Sequence, residues 1–205
     1  MIKFLFQGDS ITDADRMRED EANFGYGYPN LFAADVLKNR PHEFEFINKG
    51  ISGNRIVDVY ARMKKDIINL KPDYMSLLIG VNDVWHELAE GNGVCAEKFE
   101  KIYSMLVEEL LAELPELKII ILEPFVLNGP ATAEEWSVFR SEVEKRAAVA
   151  KRVAEKFNLK FVPLQGKFDE VASDGDTQYW LRDGVHPTAA GHCIIKEALK
   201  EATDF

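Results

Sequence analysis

Cysteine is scarce in this 205-residue chain, and basic charge is outweighed by acidic charge. The two cysteines, Cys95 and Cys193, lack metal-type spacing, which argues against both a disulfide framework and a zinc site. The four histidines form no cluster that would suggest another metal. No apolar run approaches the roughly 20 residues that span a bilayer. The opening stretch Met1-Ile2-Lys3-Phe4-Leu5-Phe6 is too short for a secretory signal. Gln7-Gly8-Asp9-Ser10 follows it instead of a small-residue cleavage site, so it reads as the first strand of a cytoplasmic protein. Lys+Arg total 25 against 35 Asp+Glu, a formal charge of -10. Such a surface repels phosphate backbones and anionic headgroups, so neither nucleic acid nor membrane is an expected partner. Nucleotide cradles are missing as well. No Gly-x-x-x-x-Gly-Lys-Ser/Thr occurs, and no Gly-x-Gly-x-x-Gly follows the first strand, so no nucleotide cofactor is expected.

What is present suits one domain over residues 1–205, long enough for a substantial core. Hydrophobic residues make up 46% and charged residues 29%, which is ordinary for a globular chain. Apolar runs predict strands at Ile2–Phe6, Phe44–Ile47, Tyr74–Ile79, Leu117–Leu122 and Leu159–Leu164. Helical spacing predicts helices near Tyr28–Lys38, Ile56–Leu70, Phe99–Leu114, Ala133–Phe157 (with Val138, Val149 and Val153 facing inward) and Ala189–Ala202. Strands alternating with such helices imply an α/β fold: a parallel sheet covered on both faces. Two longer loops, Glu87–Cys95 and Asn128–Ala133, are expected at the edge where the strands end.

Four short blocks carry chemistry: Gly8-Asp9-Ser10, Gly50-Ile51-Ser52-Gly53-Asn54, Gly80-Val81-Asn82-Asp83 and Asp183-Gly184-Val185-His186. The first three directly follow strand-like runs, and in a parallel sheet such loops gather at one edge, where ligands bind. A hydroxyl, a backbone amide freed by glycine, a carboxamide and an Asp/His pair would meet there, which is what acyl transfer requires. Ser10 is favoured as nucleophile over Ser52, because the second glycine of a Gly-x-Ser-x-Gly elbow would fall at Asn54. Gly53 lets an amide approach a ligand closely. Asn82 offers an oxyanion donor. The spacing of Asp183 and His186 allows the carboxylate to hold Nδ1 and leave Nε2 free as base. Asp9 and Asp83 are read as ordering their turns, His192 as packing or surface, and His42 as facing solvent. Trp85 and His86 are expected to extend into the loop and line a pocket wall. Glu123 adds a carboxylate at the end of the fourth strand that could change the pocket.

Together the four blocks resemble the SGNH hydrolases, or GDSL esterase/lipase family, over nearly the whole chain. The resemblance implies a flavodoxin-like three-layer α/β/α sandwich with five parallel strands in the order 2-1-3-4-5. It implies Ser10 as nucleophile, His186 as base and Asp183 as its acid, with Ser10, Gly53 and Asn82 forming the oxyanion hole, and no cofactor. The wording around the motifs, from Asn48-Lys49-Gly50 to Val185-His186-Pro187-Thr188, is closest to the branch with intracellular acetylxylan esterases. The substrate it implies is a small-molecule ester, an acetylated sugar, with Trp85 and Trp180 as binding residues. Some members of that branch are homo-oligomers. Two rivals remain: a lysophospholipase or thioesterase on the same residues, and a flavodoxin-like binding module without catalysis.

Overall fold

A computed structural model of the chain describes residues 1–203 and 205. Five parallel strands form its centre: β1 (Ile2–Gly8), β2 (Phe44–Asn48), β3 (Tyr74–Leu78), β4 (Lys118–Leu122) and β5 (Lys160–Val162), in the order β2-β1-β3-β4-β5. Phe4 pairs with Phe46 on one side and Tyr74 on the other, so the register runs continuously through β1. Side chains alternate across each strand. Phe4, Phe6, Ile120 and Leu122 pack into one core, and Leu5, Met75, Leu77, Ile119 and Ile121 pack into the other. Burial on both faces explains why the central strands β3 and β4 read as mostly apolar runs.

The connecting helices are α1 (Ser10–Asp13), α2 (Tyr28–Asn39), α3 (Ile56–Asp66), α4 (Val81–Glu90), α5 (Ala96–Glu113), α6 (Trp136–Lys156), α7 (Gln165–Val171), α8 (Thr177–Trp180) and α9 (Ala189–Glu201). From α2 come Tyr28, Phe32 and Val36, and from α9 come Ile195 and Leu199, all filling the first core. Val59 of α3 and Phe99, Tyr103 and Leu106 of α5 fill the second. Ligands in such open sheets bind where the chain reverses direction across the strand order. Here that point lies between β1 and β3, and the blocks after both strands flank it.

Several boundaries depart from the sequence expectation. The stretch expected to open a loop at Glu87 is helical through Glu90, so Trp85 and His86 stand on α4 and only Gly91–Cys95 is loop. Val81, Val84, Trp85 and Leu88 share helical spacing, and Gly80, at φ +136°, turns the chain sharply from β3 into that helix. The long helix begins at Trp136 and not at Ala133. Val138 is 47% exposed, because the buried stripe runs through Phe139, Val143, Arg146, Ala150 and Val153 instead. The helix from Ile56 stops at Asp66 and gives way to a tighter turn at Ile68–Leu70, and β5 is an edge strand of three residues. The short α7 and α8 have too few residues to show a periodicity.

Candidate active site

Ser10 is the first residue of α1, directly beyond β1. Asp9 caps that turn, its Oδ1 accepting from the Ile11 N–H at 3.0 Å. The Ser10 Oγ lies 2.9 Å from His186 Nε2, and His186 Nδ1 lies 2.7 Å from Asp183 Oδ2. The other carboxylate oxygen of Asp183 accepts from the backbone N–H groups of Val185 at 2.9 Å and His186 at 2.8 Å. Burial works against ionisation of Asp183, but the His186 ring and these two N–H groups outweigh it and bring its pKa down to about 2. Ser10, Asp183 and His186 thus form a continuous chain of hydrogen bonds.

Gly53 sits at φ +81°, a conformation that L side chains adopt at a cost, and its N–H donates to no other described residue. Asn82 lies in the first turn of α4 and donates from Nδ2 to the carbonyl of Asn54 at 3.1 Å, leaving its second amide hydrogen available. Ser10, Gly53, Asn82 and His186, with Ser52, Trp85, His86, Ala89 and Glu90, line one open pocket of about 230 Å³. The hydroxyl bonded to the imidazole is that of Ser10. Ser52 stands exposed at the rim, its backbone N–H held by Asp13 at 3.0 Å. Trp180 is not among the lining residues; its ring packs edge-on against Tyr179 at 4.9 Å.

Residues around the pocket order it. The buried carboxylate of Asp83 accepts from the Ile56 N–H at 3.1 Å, its backbone carbonyl accepts from Val94 N–H at 2.9 Å, and burial holds its pKa well above the carboxylate range. Glu123 turns away from the pocket. Its Oε2 accepts from the N–H groups of Leu164 and Gln165 at 2.7 and 2.9 Å at the start of α7. The expected change to the pocket is therefore corrected: the carboxylate caps a helix, where the dipole favours it.

Two arginines escaped the sequence reading. Arg62 of α3 donates from Nε to Asn54 Oδ1 at 2.7 Å, from Nη1 to the Lys49 carbonyl at 2.8 Å and from Nη2 to Gln7 Oε1 at 2.6 Å. It ties the end of β1 to the loop after β2, and through Asn54 it reaches the residue that holds Asn82. No local spacing marks it. The buried Arg146 donates to the Val94 carbonyl at 2.7 Å; its place on the apolar stripe of α6 was its one sequence signal. Replacing Arg62 by lysine keeps the charge but loses the planar fork. We expect kcat to fall roughly 10²-fold with KM within about a factor of two, because donors misplaced by an ångström cost that much. Steady-state kinetics on p-nitrophenyl acetate would check it, and an equal loss in kcat and gain in KM would contradict it.

His192 is buried, and its Nδ1 accepts from the Tyr28 N–H at 3.1 Å. Burial, helped by Arg182 and His186, lowers its pKa to about 4, while burial lifts the carboxyl of Asp9 to about 7. The two act in opposite directions. Between about pH 4 and 6.5 the unfolded chain protonates His192 and the folded chain does not, so this group lowers stability as pH falls. Over much the same window the folded chain keeps a proton on Asp9 that the unfolded chain releases, so that group lowers stability as pH rises. Each is worth about 3–4 kcal/mol, and they largely cancel. His192→Gln is expected to lose stability from pH 4.5 to 7 relative to wild type, and Asp9→Asn to gain it. Urea midpoints at the two pH values would show this, and parallel behaviour of the two variants would refute it.

Residues 6–194 match the GDSL-like lipase/acylhydrolase family. The chain is 35% identical over 213 residues to an acetylxylan esterase of Geobacillus stearothermophilus, covering 99% of this chain and 94% of that protein. The crystal structure of Axe2, an acetylxylan esterase from the same organism, superposes with a TM-score of 0.88 at 32% identity, over 100% of this chain and 94% of that one. A protein of Parabacteroides merdae named for its likeness to GDSL lipases superposes with a TM-score of 0.93 at 35% identity, over 98% and 95%. Among the described residues no helix is long and apolar enough to cross a membrane.

Proposed function

The chain belongs to the GDSL-like lipase/acylhydrolase family and is a carboxylic ester hydrolase; from that premise we propose that it removes short acyl groups, acetyl above all, from carbohydrate esters. The observation that carries this reading is the unbroken contact from Ser10 Oγ through His186 to Asp183, beside the unengaged N–H of Gly53 and the amide of Asn82. His186 Nε2 takes the Ser10 proton as Oγ attacks the ester carbonyl. The resulting oxyanion is held by the N–H groups of Ser10 and Gly53 and by the Asn82 amide. Collapse expels the alcohol, which takes the proton from His186, and water then repeats the two steps on the acyl-serine. Asp183 holds the imidazole in the tautomer that leaves Nε2 unprotonated.

The walls of the pocket support the substrate class. A shallow pocket of about 230 Å³ with Ser52, His86 and Glu90 beside Trp85 suits an acetyl group on a polar alcohol better than a long acyl chain. The exposed free thiols of Cys95 and Cys193 fit a reducing compartment, the cytoplasm. Acetate release from peracetylated xylose, measured beside a series of p-nitrophenyl esters with Ser10→Ala as blank, tests the reading. Turnover confined to acetyl compounds is expected. A peak at octanoyl or longer esters with little xylose deacetylation would move the activity to lipid or thioester substrates.

A further inference from the structure

Beyond Trp85 lies a second depression of about 300 Å³ that shares Trp85 and Ala89 with the catalytic pocket. Its other walls include Leu88, Ala131, Glu134 and Glu135. Trp85 lines both, its ring 5.8 Å from the His186 ring of the first and 6.0 Å from the Phe139 ring of the second. The loop forming the far wall is tied to the catalytic turn: Ala131 N–H donates to the Asp183 carbonyl at 2.9 Å and Leu127 N–H to that of Gly184 at 2.9 Å. The distance between His186 and this depression is therefore held by the same backbone contacts that hold the base.

We infer that this depression is a subsite for the leaving alcohol, taking the further sugar units of a neutral oligosaccharide whose ester sits at Ser10. Resting on the carbohydrate reading above, it follows from where the reaction sends its products. The leaving oxygen must take its proton from His186 Nε2, so the alcohol, and not the acyl group, lies on the His186 side of the pocket. An aromatic ring beside His186 is Trp85, and Trp85 also lines this depression. A flat indole suits the apolar face of a sugar ring, and the carboxylates of Glu134 and Glu135 are exposed and engaged by no other described side chain, free to accept hydroxyl hydrogen bonds. The same two charges, in a chain of net charge -10, repel acidic sugar substituents and make the preferred chain neutral.

The test compares acetylated xylose with acetylated xylotriose. Wild type is expected to show kcat/KM about tenfold or more higher on the trisaccharide, and unesterified xylotriose to inhibit p-nitrophenyl acetate hydrolysis more strongly than xylose does. Ala131→Trp, which fills the depression, should bring the trisaccharide-to-monosaccharide ratio close to one. Glu134→Gln with Glu135→Gln, on exposed positions that put little at risk in folding, should weaken xylotriose inhibition several-fold. Equal kcat/KM on the two sugars in wild type would overturn the subsite while leaving the deacetylase reading intact. So would a ratio and an inhibition that neither variant moves. Failure to cleave either sugar, with hydrolysis of longer-chain esters retained, would overturn both readings.

Discussion

Ser10→Ala is expected to lower kcat on p-nitrophenyl acetate about 10⁴-fold or more, and His186→Ala by a similar amount, with the thermal midpoint of each close to wild type. The two losses should be alike, because in the proposed mechanism the residues act as one unit. Without Oγ there is no acyl-enzyme, and without Nε2 the hydroxyl 2.9 Å away has no group to take its proton. The double variant should be scarcely worse than either single one. Oγ packs against the imidazole at the pocket surface and not within a core, so its loss opens no buried cavity. Either alanine variant retaining a tenth of wild-type activity would remove Ser10 and His186 from the chemistry, whatever their geometry.

Asp183→Asn should cost roughly 10²-fold less than either alanine change, yet far more than loss of one charge at a surface would. The reason lies in the second carboxylate oxygen. The backbone N–H groups of Val185 and His186 both point at Oδ1, so an asparagine there must turn its carbonyl oxygen toward them. Its NH₂ then faces Nδ1 at the position now taken by Oδ2 and donates to it. Nδ1 becomes an acceptor, the proton moves to Nε2, and Nε2 can no longer take the serine proton. With a pKa of about 2 in the native protein, Asp183 is ionised throughout the neutral and mildly acidic range, so its own titration does not set the pH response there. Kinetics of the variant at pH 7, with an unchanged near-ultraviolet spectrum as the check on folding, would test this. Activity within tenfold of wild type would mean that the carboxylate does not choose the tautomer.

Legibility followed the range over which each feature is encoded. The central strands were readable because burial on both faces leaves apolar runs that are continuous or nearly so, such as Ile119–Leu122, bounded by turn residues. Ser10 and Asn82 were readable because polar groups begin where those runs stop. The start of α4 was harder. Asn82-Asp83 after Gly80 looks like a turn, and only the helical spacing of Val84, Trp85 and Leu88 argues otherwise, so the stretch from Glu87 was expected as loop. Val138 was misplaced for a related reason: in a long charged helix, a shift of one residue in phase moves a side chain from core to solvent. Glu123 could be located in the sequence but its direction could not, since the N–H groups it caps lie about 40 residues further along.

By itself the sequence determined that the chain alternates strands and helices, and which hydroxyl and amides follow the strands. Periodicity and motif spacing are local, and they report which residues are buried and where a run of them stops. Tertiary structure alone decided which atoms meet. Ser10 finds His186 across 176 positions, Arg62 binds Gln7 across 55, and Trp85 comes to lie beside both His186 and Phe139. Those meetings depend on the strand order and register, which bring ends distant in the chain to one edge, and no window of neighbouring residues carries that information.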